Sequence, residues 1–135
     1  MGNIADSPHG IAAHFATGAR TQGRRRTAQI HLREVEDGYW TRLRLYTEHS
    51  PNGQFTTYLS FDHHKERRDG GESVRIKIAT TTSTVIGRED CPGRYSEKRL
   101  IAAYDRAAAV LLADPAPIDA LLRANDPEYQ KGPTP

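Results

Sequence analysis

Long apolar runs are missing from this 135-residue chain, and only 36% of its residues are apolar. No stretch approaches 18 consecutive apolar residues, which excludes an ordinary membrane-crossing helix. A secretory apolar region is missing too, and the opening Met-Gly-Asn-Ile-Ala-Asp lacks the hydroxyl residue a myristoylation signal places at position 6. The lone cysteine, Cys91, excludes an internal disulfide framework and fits a reducing, cytoplasmic setting. It follows Glu89 and Asp90, whose charges disfavour a thiolate, so no nucleophilic role is expected. There is no Ser-His-Asp pattern, phosphate-cradling glycine loop or paired-carboxylate motif. A catalytic function is therefore not expected, and no cofactor is implied.

Lysine is scarce beside arginine, four residues against fifteen. Arginine suits bidentate phosphate recognition, although the codon bias of a GC-rich bacterial genome gives the same excess. A net charge of +2 argues against indiscriminate coating of duplex DNA. Its distribution says more. Residues 1–30 carry Arg20, Arg24, Arg25 and Arg26 against Asp6 alone, a local +3, whereas residues 100–135 sum to −2.

Residues 1–26, rich in glycine and ending in Arg24-Arg25-Arg26, read as a flexible basic arm before a single α+β domain spanning 27–125. Apolar alternation marks strands near 28–36, 39–48 and 54–62 and another from 74 towards 86, with a bulge where the alternation weakens. Asp37-Gly38 and Ser50-Pro51-Asn52-Gly53 supply the hairpin turns. The charged stretch from His63 to Glu72 reads as a long, floppy hairpin tip. Ser96 caps a helix whose Leu100, Ile101, Tyr104, Ala107, Ala108, Leu111 and Leu112 form one buried stripe ending at Asp114-Pro115. Ile118, Leu121 and Leu122 suggest a short second helix, and residues 126–135 a disordered tail. The expected fold is thus a four-stranded antiparallel meander with one face covered by a C-terminal helix.

Splitting the strands by parity gives the functional signal. One parity is apolar. The other collects Arg33, Trp40, Arg42, Arg44, Tyr46, Tyr58, Arg75 and Lys77, with His31 beside them. Successive strand residues alternate faces, so these residues are expected on the side no helix covers. Rings that stack on unpaired bases, interleaved with cations that hold phosphates, make a single-strand platform, with Arg24, Arg25 and Arg26 as an auxiliary clamp. The same residue types also serve as soluble strand formers or as a contact for a protein partner.

The order of a four-stranded meander followed by a helix is similar to that of the single-stranded-DNA-binding transcription coactivators and the whirly proteins. That likeness of architecture implies strand binding and self-association. The leading expectation is a non-catalytic module for single-stranded DNA or RNA. The alternative is a protein-interaction module, an adaptor or inhibitor encoded on a mobile element, using the same face or a strand edge. A homodimer is compatible with either. A third expectation concerns His63-His64. Strand neighbours point apart and no Cys or His falls at zinc-finger spacing, so a metal is not expected. A bound metal or a deep pocket there would instead favour a small-ligand or catalytic domain.

Overall fold

The computed structural model describes residues 7–36, 38–68, 75–91 and 93–130, and of these all side chains except those at 35, 36, 67, 68, 75–78 and 130. The chain runs α1 (Pro8–Thr17), β1 (Arg20–Gln22), β2 (Arg25–Glu36), β3 (Tyr39–His49), β4 (Gln54–Arg68), β5 (Arg75–Asp90), α2 (Glu97–Ala113), α3 (Ala116–Asn125) and α4 (Pro127–Gln130). The strands form one antiparallel sheet in the order β1-β2-β3-β4-β5. The class is α+β, as the alternation predicts. The sheet has five strands, where four were expected.

The added strand comes from the region expected to be a flexible arm. Ser7 caps α1 by accepting from the Gly10 amide, and Pro8 takes the first helical turn, where its missing N–H costs nothing. Ile11, Ala12 and Phe15 are fully buried. The Tyr104 hydroxyl donates to the Phe15 carbonyl at 2.6 Å, and a His14 ring nitrogen lies 2.9 Å from the Gln29 carbonyl. The Gly18 and Gly10 that argue against a helix in isolation are outweighed by these tertiary contacts. Gln22 pairs with Arg25 across Gly23-Arg24, a two-residue loop whose first residue has φ +60°.

Two further boundaries move. β4 continues through the stretch expected to be a floppy tip, pairing with β5 as far as Arg68 opposite Arg75. Residues 69–74 lie outside the described residues. β5 also runs beyond Ile86 to Asp90, and the expected bulge is there. Thr57 pairs with Gly87 and Tyr58 with Val85, leaving Ile86 as the extra residue. The expected tail begins instead with the buried Asp126 and α4; residues 131–135 lie outside the described residues.

Of the two central hairpin turns, Asp37 lies outside the described residues. Gly38 has φ +80°, and a Cβ there would come within 2.9 Å of the Glu66 Cβ, so only glycine fits. Helices α1, α2 and α3 cover one sheet face, burying Ala28, Ile30, Leu43, Leu45, Leu59 and Phe61 against Tyr104, Leu111, Ile118 and Leu122. Ser96 caps α2 and Asp114 ends it, as the sequence predicts. Among the described residues no helix is long and apolar enough to cross a membrane.

Replacing Phe15 by Ala should cost about 3–5 kcal/mol of unfolding free energy, the usual range for a buried phenylalanine. Urea titration reads this directly, and an unchanged midpoint would mean that α1 is not part of the core.

Candidate functional site

Antiparallel partners share a face, so the registers decide which predicted residues meet. On β3, Trp40, Arg42, Arg44 and Tyr46 pair with His64, Asp62, Ser60 and Tyr58 of β4. All eight therefore lie on the face opposite the helices. The Trp40 and His64 rings stack at 4.7 Å with 11° between their planes, and His31 of β2 lies 6.0 Å from Trp40. Tyr46 and Tyr58 make a second ring pair at 5.2 Å. Trp40 and Tyr46 stand six residue steps apart on β3, roughly 20 Å along the strand. Guanidinium groups cover the rings: Arg42 lies over Trp40 at 5.1 Å, and Arg44 and Arg25 lie over Tyr46 at 4.9 and 4.7 Å.

Between the ring pairs sits Asp62. Its side chain belongs to the uncovered face, yet the residue is only 5% exposed, because two arginines close over it. Arg42 Nε donates to Asp62 Oδ2 at 2.6 Å, while Arg44 Nη2 and Thr81 Oγ1 donate to Oδ1 at 3.1 and 2.9 Å. Burial alone would raise the carboxyl pKa. The hydrogen bonds from Arg42, Arg44 and Thr81 outweigh it, and the pKa is held below the ordinary aspartate value. The two arginines expected to be free phosphate ligands thus share one carboxylate. Arg25 is paired as well, with Glu48 at 2.7 Å.

Arg33 is not on this face. His31 pairs with Arg42 but Arg33 with Thr41, so a bulge at Leu32 turns Arg33 to the helix-covered side. There it meets Asp126 at 3.1 Å, a carboxylate with only 3% of its side chain exposed. The Arg24-Arg25-Arg26 cluster is divided too. Arg25 joins the open face, Arg24 lies over the Tyr95 ring at 4.8 Å, and Arg26 donates to Thr21 at 2.8 Å and lies over Tyr104. Three adjacent arginines in and beside a strand cannot form one clamp, because their side chains alternate. Arg75 and Lys77 stand on β5 opposite Arg68 and Glu66; their side chains lie outside the described residues.

The helix-covered face holds a second site that the alternation argument passes over. Beyond the row Leu43–Phe61, the inner pairs become Thr41–His63 and Tyr39–Lys65. Together with Arg33 they face Asp126 and Glu128 across a cleft of about 350 Å³ at the end of α3. The Tyr39 and His63 rings meet edge-on at 4.9 Å. Thr41 Oγ1 and His63 Nε2 are both buried without a hydrogen-bond partner. Such unmade bonds cost about 1–3 kcal/mol each. Asp126 is occupied: its carboxylate accepts from Arg33 Nε and from the Glu128 amide. His63 and His64 do point apart, one into each site. The sequence signal for the cleft is the continuation of inward parity through Thr41, His63 and Lys65.

Comparison with known protein families, curated proteins and solved structures gives no match.

The depressed Asp62 pKa fixes a pH dependence. A carboxyl whose folded pKa lies below its unfolded value contributes stability that is complete above about pH 4 and is lost as pH falls through the folded pKa. Asp62→Asn should therefore lower stability by about 2 kcal/mol at pH 7. Thermal melts of the two proteins should converge as pH falls through and below the folded pKa of Asp62, and a gap that persists in strong acid would remove the charge-anchoring role.

Proposed function

We propose that the uncovered sheet face is a non-catalytic binding surface for unpaired DNA or RNA. What carries the reading is the pair of ring clusters, Trp40–His64 and Tyr46–Tyr58, on a face that no described helix covers. Every base has a π-face, and stacking on an aromatic side chain is worth roughly 1–3 kcal/mol per base. Bases inside a duplex are already stacked, so this geometry favours single strands. Asp62 holds Arg42 and Arg44 flat beside the rings, where each guanidinium keeps further N–H donors for a phosphate. Arg25 plays the same part at the Tyr46 end. Arg33, Arg24 and Arg26 are left out of the platform because they lie elsewhere.

One observation favours a protein partner as the second reading. The described cations of the central face are matched by carboxylates: Arg25 by Glu48, Arg42 and Arg44 by Asp62. A face so balanced attracts a polyanion weakly over distance, while Trp, Tyr and Arg are the side chains that anchor protein contacts.

Self-association, in either reading, would use the β5 edge. Residues 79–85, Ala-Thr-Thr-Thr-Ser-Thr-Val, are all exposed and carry no charge on the outermost strand of the sheet. Natural edge strands are usually blunted by lysine, proline or a cover, and this one has none of these over seven residues. On the other side of the sheet β1 pairs only with residues 25–27, and the remainder of that edge is β2, whose Arg33 and Glu34 are charged, unlike residues 79–85. Antiparallel pairing of two β5 strands would also set the basic start of each, Arg75 and Lys77, beside the acidic end of the other, Glu89 and Asp90.

Fluorescence anisotropy with single- and double-stranded oligonucleotides at two salt concentrations tests the function. Expected are a preference for single strands, affinity falling with salt, and a loss of about tenfold in Trp40→Ala. Emission from Trp40, the only tryptophan, should change on binding. Equal affinity of the Trp40→Ala protein would reject the platform, and protein capture that ignores salt would select the second reading.

Light scattering after size exclusion tests the edge. A dimer of the 15.1 kDa chain is expected, with Thr82→Lys giving the monomer; a monomeric parent protein would reject edge pairing.

A further inference from the structure

We propose that the cleft between Thr41, His63, Lys65 and the end of α3 binds a small molecule through a carboxylate or phosphate oxyanion. The proposal is independent of the open face, since its residues lie on the opposite side of the sheet.

The inner face of a covered sheet is where apolar residues are expected, and through Leu45–Leu59 and Leu43–Phe61 they are found. At the next two pairs the chain instead places Thr41, His63 and Lys65, with Arg33 turned inward by the bulge at Leu32. Polar groups on a buried face are stable only with partners. Arg33 has one, in Asp126. Thr41, 5% exposed, leaves its hydroxyl unbonded, and His63 leaves Nε2 unbonded beside it. Lys65 makes no hydrogen bond or ion pair among the described residues.

What the cleft offers is therefore weighted towards donors. The ammonium of Lys65 supplies three and accepts none, the Thr41 hydroxyl supplies one, and His63 supplies one in the tautomer that carries hydrogen on Nε2. Of the two carboxylates that line the cleft, Asp126 and Glu128, Asp126 already accepts from Arg33 and from the Glu128 amide, and the cations Arg33 and Lys65 line the cleft with them. An acceptor-rich, negatively charged group is the complement of this set. A volume of about 350 Å³ restricts the ligand to a small molecule. The Tyr39 ring, edge-on to His63, gives one wall for an apolar or aromatic body. Because Thr41 Oγ1 and His63 Nε2 are out of reach of water, binding includes a small side-chain movement at this wall.

The test is a titration of the intact protein with inorganic phosphate and, separately, with benzoate, read from the His63 imidazole signals in proton–nitrogen NMR. Loss of one set of signals in His63→Asn assigns them. A saturable shift with half-saturation at or below about 1 mM is expected for at least one probe. Phosphate alone would mark a phosphate-ester site, benzoate alone a carboxylate site, and both a general oxyanion site. Lys65→Met, at an exposed position, and Thr41→Val should each weaken binding about tenfold, whereas Trp40→Ala should leave it unchanged. No saturable shift up to about 20 mM overturns the proposal, as does unaltered binding in both Lys65→Met and Thr41→Val. Oligonucleotide affinity that is unchanged in Lys65→Met keeps this outcome separate from that of the open face.

Discussion

Burial of one face of the meander is the constraint from which both candidate sites follow. Ile11 and Phe15 of α1, Tyr104 and Leu111 of α2, and Ile118 and Leu122 of α3 all rest on the inner rows of β2, β3 and β4. Tyr129 of α4 packs against the same core, so among the described residues no helix is left for the other side, and the side chains of opposite parity stay uncovered. The same cover also has an end. Where α3 stops at Asn125, the inner face runs on through Thr41–His63 and Tyr39–Lys65, and apolar packing gives way to a polar cleft.

Asp62 solves the electrostatic problem of the uncovered face. Two arginines two residues apart on one strand repel each other, and on bare sheet they would sample many rotamers. A carboxylate directly opposite on β4 fixes both, and Ser60 and Thr81 complete its hydrogen bonds. The cost of burying Asp62 is offset because every charge in the trio is hydrogen-bonded and the arginines keep contact with water at their outer edges. The fixed guanidiniums lie against Trp40 and Tyr46, so charge and ring are held as one surface rather than as independent side chains.

Local signals in the sequence were legible, and non-local ones were not. Ser96 and the stripe from Leu100 to Leu111 place α2 to the residue, because cap and periodicity are both within the segment. The glycine turns at Gly38 and Gly53 are equally local. Helix α1 was obscured by two glycines and a run of arginines; Ser7-Pro8 was the cap signal, but the stability comes from Phe15 meeting Tyr104, far apart in the chain. The bulge at Leu32 has no glycine or proline to announce it, so parity put Arg33 on the wrong face. Asp62 reads as one more outward polar residue until the register sets it opposite Arg42.

The stretch from His63 to Arg68 shows why composition misleads here. Six titratable residues in a row resemble a solvated loop, yet as a strand the four with described side chains divide between two environments. His63 and Lys65 turn to the cleft, while His64 and Glu66 turn to the open face, where His64 stacks on Trp40. His63 and His64 thus place the two candidate sites on opposite sides of one stretch of backbone, which is why a single run of charged residues serves both.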